Sequence, residues 1–186
     1  MTTEISTRPL PSPRALPPPA GPLDRFRQRR RAAEQDRRSA RLAELHHLRA
    51  IVDEAAAVVE AGWVRDAWVT YVDESDRPRA ATTLTVHRAD GRPVVAACLV
   101  GAVVHAGGGF GAVRTQPVQR ALDLVWHALR RSPDEPVRWC PAPEVRGAHV
   151  RDLTAWNDDR GRTQAQAAAL LRRASRLADL EIARLR

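Results

Sequence analysis

Residues Val94–Val113 read Val-Val-Ala-Ala-Cys-Leu-Val-Gly-Ala-Val-Val-His-Ala-Gly-Gly-Gly-Phe-Gly-Ala-Val, twenty residues without a formal charge. Three different folds hang on this stretch. A membrane span would need its whole length to be apolar. A strand entering a glycine loop and then a helix would make an α/β phosphate site. A single helix over 94–106 would make a core element of a smaller α+β domain. The apolar part stops at Ala106, thirteen residues in, and Gly107–Gly109 and Gly111 follow. That length suits a buried helix and falls short of a bilayer. No Gly-Lys-Ser/Thr follows the glycines, and Arg114 stands where a dinucleotide fingerprint wants Gly or Ala. The helix reading therefore leads. Pro93 opens it, Gly107 closes it, and the remaining glycines form a loop.

Upstream, Trp68–Val72 (WVTYV) and Ala81–Arg88 (ATTLTVHR) are rich in β-branched and aromatic residues with partial alternation. The segment Asp73–Pro78 between them reads as a turn, and Asp90-Gly91 as a second one. These signals predict a small antiparallel hairpin or three-stranded sheet. Nothing breaks a helix from Leu23 to Ala61; Asp24 can cap its start, and Gly62 stands where a left-handed C-terminal residue belongs. Its second half carries a stripe of Leu45, Leu48, Val52, Ala55 and Val59, one face of a helix. Its first half is polar all round.

Downstream, Thr115 or Gln116 caps a helix with Pro117 in its first turn and a stripe of Val118, Ala121, Leu122, Val125, Trp126 and Leu129. Ser132-Pro133 ends it. A Pro-rich connection leads to a short helix near Val150–Trp156. Then comes a polar turn, Trp156-Asn157-Asp158-Asp159-Arg160-Gly161-Arg162-Thr163, in which Gly161 is expected at positive φ. Thr163-x-x-Gln166 fits a capping box for the last helix, whose core face is Ala167, Leu170, Leu171, Ala174, Leu177 and Ala178. The fold class is α+β, mostly α-helical, with the small sheet packed against about five helices. Residues 1–22 are read as a disordered Pro-rich tail, 23–41 as a basic helical extension and 42–182 as a single globular domain.

Two motifs carry a resemblance. The turn Trp156-Asn157-Asp158-x-x-Gly161-Arg162-Thr163 with its closing helix, and Cys98-Leu99-Val100-Gly101-Ala102 upstream, resemble an uncharacterised family common in actinobacteria, a domain of unknown function. The resemblance spans roughly 45–177. It implies an architecture and no chemistry.

Composition narrows the function. All thirty basic side chains are Arg, and the formal net charge is +8. Residues 1–41 hold ten Arg and four acids, so most of the excess sits in the N-terminal arm. Two cysteines, Cys98 and Cys140, cannot build a disulfide framework, and no secretory leader or membrane segment is visible. A reduced, cytoplasmic chain follows. Arg29, Arg30, Arg31, Arg37 and Arg38, within 25–41, are candidates for a weak contact with nucleic-acid phosphates. The competing reading is a solvated extension. Asn157 and Asp158, with His149, are candidates for a polar ligand site. The competing reading gives Trp156 the role of core anchor and Asn157 or Asp158 that of a cap. His149 and Asp152, three apart, could form a dyad, and His127 is read as a surface residue. Cys98, His105, Cys140 and His149 match no zinc spacing, so no metal is expected. No nucleophile with its base can be assembled, so no catalytic residue is assigned, and no cofactor fingerprint is present. Three functions remain: a non-enzymatic accessory or interaction module, a nucleic-acid-associated protein using the Arg arm, or an enzyme with a site near Asn157, Asp158 and His149.

Overall fold

The computed structural model describes residues 21–130, 135–137, 139 and 143–186. The tail 1–20, the helix end proposed at Ser132-Pro133 and Cys140 lie outside the described residues. The chain divides into two compact units, Met1–Arg37 and Arg38–Arg186. In the first unit the described residues are helical from Pro22, and residues 23–37 are exposed at every position. This helix, α1 (Pro22–Ala61), begins one residue before the predicted start.

The second unit holds the core. Within it, α1 buries the predicted stripe of Leu45, Leu48, Val52, Ala55 and Val59, and Ile51 and Ala56 beside it. The sheet comprises β1 (Val69–Val72), β2 (Pro78–Ala81) and β3 (Val94–Ala97) in the order β2-β1-β3, antiparallel throughout. Val69 faces Ala81 on one side and Ala97 on the other, and the β1–β3 register shifts between Thr70 and Tyr71. Among the described residues four α-helices follow β3: α2 (Leu99–Ala106), α3 (Gln116–Arg130), α4 (Pro143–Asp158) and α5 (Gln164–Leu185). α3 packs on both α4 and α5, and α2 on α3 and α4.

The deciding stretch corrects the single-helix reading. Val94–Ala97 is a strand, Cys98 caps, and only Leu99–Ala106 is helical. A run of small apolar residues has no polar period to separate strand from helix. Gly107 closes α2 as its C-cap, while Gly109, at φ 89°, stands at the start of a 3-10 helix, Phe110–Arg114. The second predicted strand also shifts. Pairing uses Pro78–Ala81, while Val86–Ala89 forms a 3-10 turn. Thr82 N–H donates to Thr85 Oγ1 at 3.0 Å, a local bond that competes with a ladder. Thr115 does not cap α3 with its side chain; its hydroxyl donates back to Ala112 O at 2.8 Å. No helix among the described residues is long and apolar enough to cross a membrane.

Two glycines press helices against the sheet. A Cβ on Gly101 would lie 2.0 Å from Trp68 O, so α2 can approach β1 only without a side chain there. A Cβ on Gly62 would lie 2.1 Å from Val95 O. Gly62 is not left-handed, contrary to expectation. It is needed for contact: Ala97 N–H donates to Gly62 O at 3.0 Å, and Trp63 bridges Ala97 in parallel. Segment 62–64 thus covers the outer edge of β3.

Candidate functional site

The polar turn was expected to hang on Trp156. It hangs on Asn157, at the end of α4, which is fully buried while Trp156 is half-buried. Asn157 Oδ1 accepts from Trp63 Nε1 at 2.8 Å and from Leu99 N at 3.2 Å. Its Nδ2 donates to Val64 O at 3.1 Å and to Asp158 Oδ1 at 2.9 Å. Two lone pairs and two N–H groups are the whole capacity of an amide, so every position is filled by the protein itself. One side chain thereby ties α4 to the 62–64 segment and to the first turn of α2.

Asp158 Oδ1 also accepts from Asp66 N at 3.1 Å. Asp66 is one of two non-glycine residues at positive φ among the described residues, so Asp158 holds a strained position. Arg162 lies over the Trp156 ring, 4.6 Å from its centroid, and 3.7 Å from Asp159. Gly161 is not at positive φ; its N–H donates to Asp159 Oδ1 at 2.9 Å. The capping box at Thr163 and Gln166 is complete. Gln164 Nε2 donates to Val59 O at 2.9 Å and Glu60 O at 3.0 Å, satisfying carbonyls that the end of α1 leaves open.

His149 belongs to a second cluster, between α3 and α4. Its Nδ1 lies 2.9 Å from Asp123 Oδ1, and Asp123 is buried. Its ring stacks on Trp126 at 3.8 Å and 15°. Asp152 is not its partner. That carboxylate accepts from Trp126 Nε1 at 2.9 Å and faces Arg130 at 3.3 Å, and the indole bond above all holds it below the usual carboxylate range. Arg146 Nε stands 3.8 Å from the other Asp123 oxygen. His127, expected at the surface, is buried with its ring 6.4 Å from that of His149. A carboxylate on Nδ1 sets a neutral ring to carry its proton there and leaves Nε2 as the base, an arrangement suited to proton transfer. The His149 side chain is 8 % exposed.

The two clusters do not merge. Asn157 and His149 are eight residues apart on one helix, about 12 Å along its axis. Asp123, Trp126 and Trp63 complete these clusters, and none was a candidate beforehand. Trp126 stood in the predicted stripe, but no sequence signal ties residues separated by 26 or 94 positions.

Cys98 caps α2 with its sulfur, which accepts from Gly101 N at 3.3 Å. It is a free, buried thiol, and burial pushes its pKa up to about 11. Among the described residues no group of three or more His, Cys, Asp and Glu could hold a metal ion. Arg29, Arg30, Arg31 and Arg37 are exposed in the first unit. Arg38 is exposed in the second, where its guanidinium donates to the carbonyls of Leu185 and Arg186.

Residues 43–177 fit the model of a family described as "Family of unknown function (DUF6197)". No curated protein and no solved structure matches.

Proposed function

The chain belongs to this family of unknown function, and from that premise we propose that it works by binding rather than by catalysis, as an accessory or interaction module of the cytoplasm. Its working surface is the basic helix, and the partner that suits it is a nucleic-acid backbone. One observation carries this reading. Residues 25–37 place six arginines against two acids on a helix exposed at every position. Such a helix gains nothing from packing, and its charge faces solvent where phosphates can reach it. The amide of Asn157 supports the same choice, since its four bonding positions are spent inside the fold.

The binding should be electrostatic and indifferent to sequence. If the helix meets about six phosphates, log K should fall with log salt at a slope of about −4 to −5. Replacing Arg29, Arg30, Arg31 and Arg37 by Gln should abolish it. Arg38 is left in place because it is engaged with the C-terminal carbonyls. Fluorescence anisotropy with labelled duplex DNA and single-stranded RNA reads both effects. Affinity that ignores salt, or survives the four substitutions, overturns the proposal.

A second reading has its own support, the Asp123–His149 pair. It is an enzyme that uses His149 as a base, at a site without Asn157 and Asp158. It requires the neutral ring to carry its proton on Nδ1. Long-range proton–nitrogen NMR of the histidine ring tests this directly. A ring protonated on Nε2 alone would remove the base and the reading with it.

A further inference from the structure

A concavity on the sheet side has no role in either reading. It encloses about 510 Å³ between the β1–β2 hairpin and the Val86–Ala89 turn. That volume lies in the range of small-molecule sites. Three guanidinium groups line it: Arg79 from β2, Arg88 from the 3-10 turn and Arg92 from the approach to β3. Only two carboxylates, Asp73 and Glu74, line it with them.

The pairing is uneven. Asp73 Oδ2 accepts from Arg79 Nε at 2.8 Å, and its Oδ1 accepts from the N–H groups of Ser75 and Arg77 at 2.9 and 3.0 Å. Asp73 is therefore committed to its own turn and positions Arg79 through one of that side chain's five N–H groups. Arg92 donates to Glu74 at 2.8 Å, but the Glu74 side chain is 87 % exposed. A pair of that kind is weak in water and is readily exchanged for a better acceptor. Arg92 also sits 5.8 Å from the centroid of the Tyr71 ring, within reach of a cation–π contact. No acidic side chain among the described residues pairs with Arg88, whose guanidinium is exposed.

We propose that this cleft binds a small phosphorylated molecule, with Arg79, Arg88 and Arg92 around the phosphoryl group and the organic part toward Tyr71. Arginine forks match phosphate oxygens, and each such bond is charge-assisted. Guanidinium groups from three separate chain segments suit a tetrahedral group with three open oxygens better than a planar carboxylate. The volume exceeds what the phosphoryl group alone fills, which leaves room for the organic part.

The test is an NMR titration of the full chain with inorganic phosphate and with pyrophosphate, following the arginine Nε–H signals. Saturable shifts confined to Arg79, Arg88, Arg92 and the backbone of Thr85 are expected. Arg88→Gln should weaken binding about tenfold, the loss of one charge-assisted contact. Arg77→Gln removes the same charge from the same hairpin outside the cleft, and should leave the affinity unchanged. The four-arginine variant of the basic helix should also keep this site, so its failure is separate from that of the helix. Equal weakening by Arg77→Gln and Arg88→Gln, or shifts spread over residues 25–37 alone, would overturn the proposal. Equally tight binding of malonate would overturn the phosphoryl assignment.

Discussion

At the scale of single residues, Asn157 matters more than the tryptophan beside it. Removing its amide strands the indole N–H of Trp63, the amide of Leu99 and the carbonyl of Val64. Each buried polar group left unpaired costs about 1–3 kcal/mol, so Asn157→Ala should lose about 3–5 kcal/mol. Trp156 gives up less, because its ring is only half-buried. Asn157→Asp is a sharper probe than Ala. It keeps the shape, loses both donors and sets a second carboxylate against Asp158. Urea unfolding should rank Asn157→Asp and Asn157→Ala well below Trp156→Ala; the reverse order would return the anchor to the ring. The sequence names all three residues of this turn but not their burial, since turn chemistry looks the same whether a side chain faces water or the core. Cys98 gives a pH test. Its folded pKa of about 11 lies above the usual thiol value, so folding favours the protonated form. The contribution is intact below pH 8.5 or so, where both states keep the proton, and falls as the unfolded thiol ionises toward pH 11. Stability should therefore decline over that window, and Cys98→Ala should flatten the decline. An unchanged slope in the variant would assign the loss to other groups.

At the scale of elements, the helix stripes and the capping box at Thr163 were legible, and the Thr115 cap, the backbone of Gly62 and the long-range contacts were not. The face of α1 from Leu45 to Val59 and the capping box at Thr163 follow from spacing within one helix. Strand β3 did not, because Val94–Ala97 and the helix after it share one apolar composition. What separates them is Cys98 as a cap and Gly101 against Trp68, and both need the sheet to be in place. The Asp123–His149 pair is hidden for the same reason, since α3 and α4 must dock before the two residues meet. Gly101→Ala tests this account of the element boundary. Its Cβ would overlap a backbone oxygen, so α2 must move off β1, and the loss should exceed that of an ordinary small-to-large change, about 1–3 kcal/mol. Thr163→Ala should cost only about 1 kcal/mol, the usual value of a cap. Thermal melts that place the glycine variant at or above the cap variant would mean that the two elements are not pressed together as described.

At the scale of the whole molecule, stability and charge belong to different stretches of chain. Among the described residues, every member of the buried apolar core lies in the unit Arg38–Arg186, while residues 23–37 are exposed throughout. Apolar area removed from water is the main favourable term in folding, and the described residues before Arg38 supply almost none of it. The apolar side chains they do contain point the same way: Leu23 is 74 % exposed and Phe26 59 %. A chain that begins at Arg38 keeps the stripe of α1 and the Arg38 contacts with the carbonyls of Leu185 and Arg186. Ser39 can then cap the shortened helix from its new start. Such a chain should melt within about two degrees of full length, less than the shift that a single kilocalorie produces in a domain of this size. It should also lose its affinity for nucleic acid, because the six arginines of 25–37 leave with the deleted residues. Calorimetry and anisotropy on the same pair of proteins separate the two effects. A truncated chain that melts many degrees lower would mean that the basic helix supports the fold. One that melts normally and still binds DNA would place the polyanion site inside the globular unit.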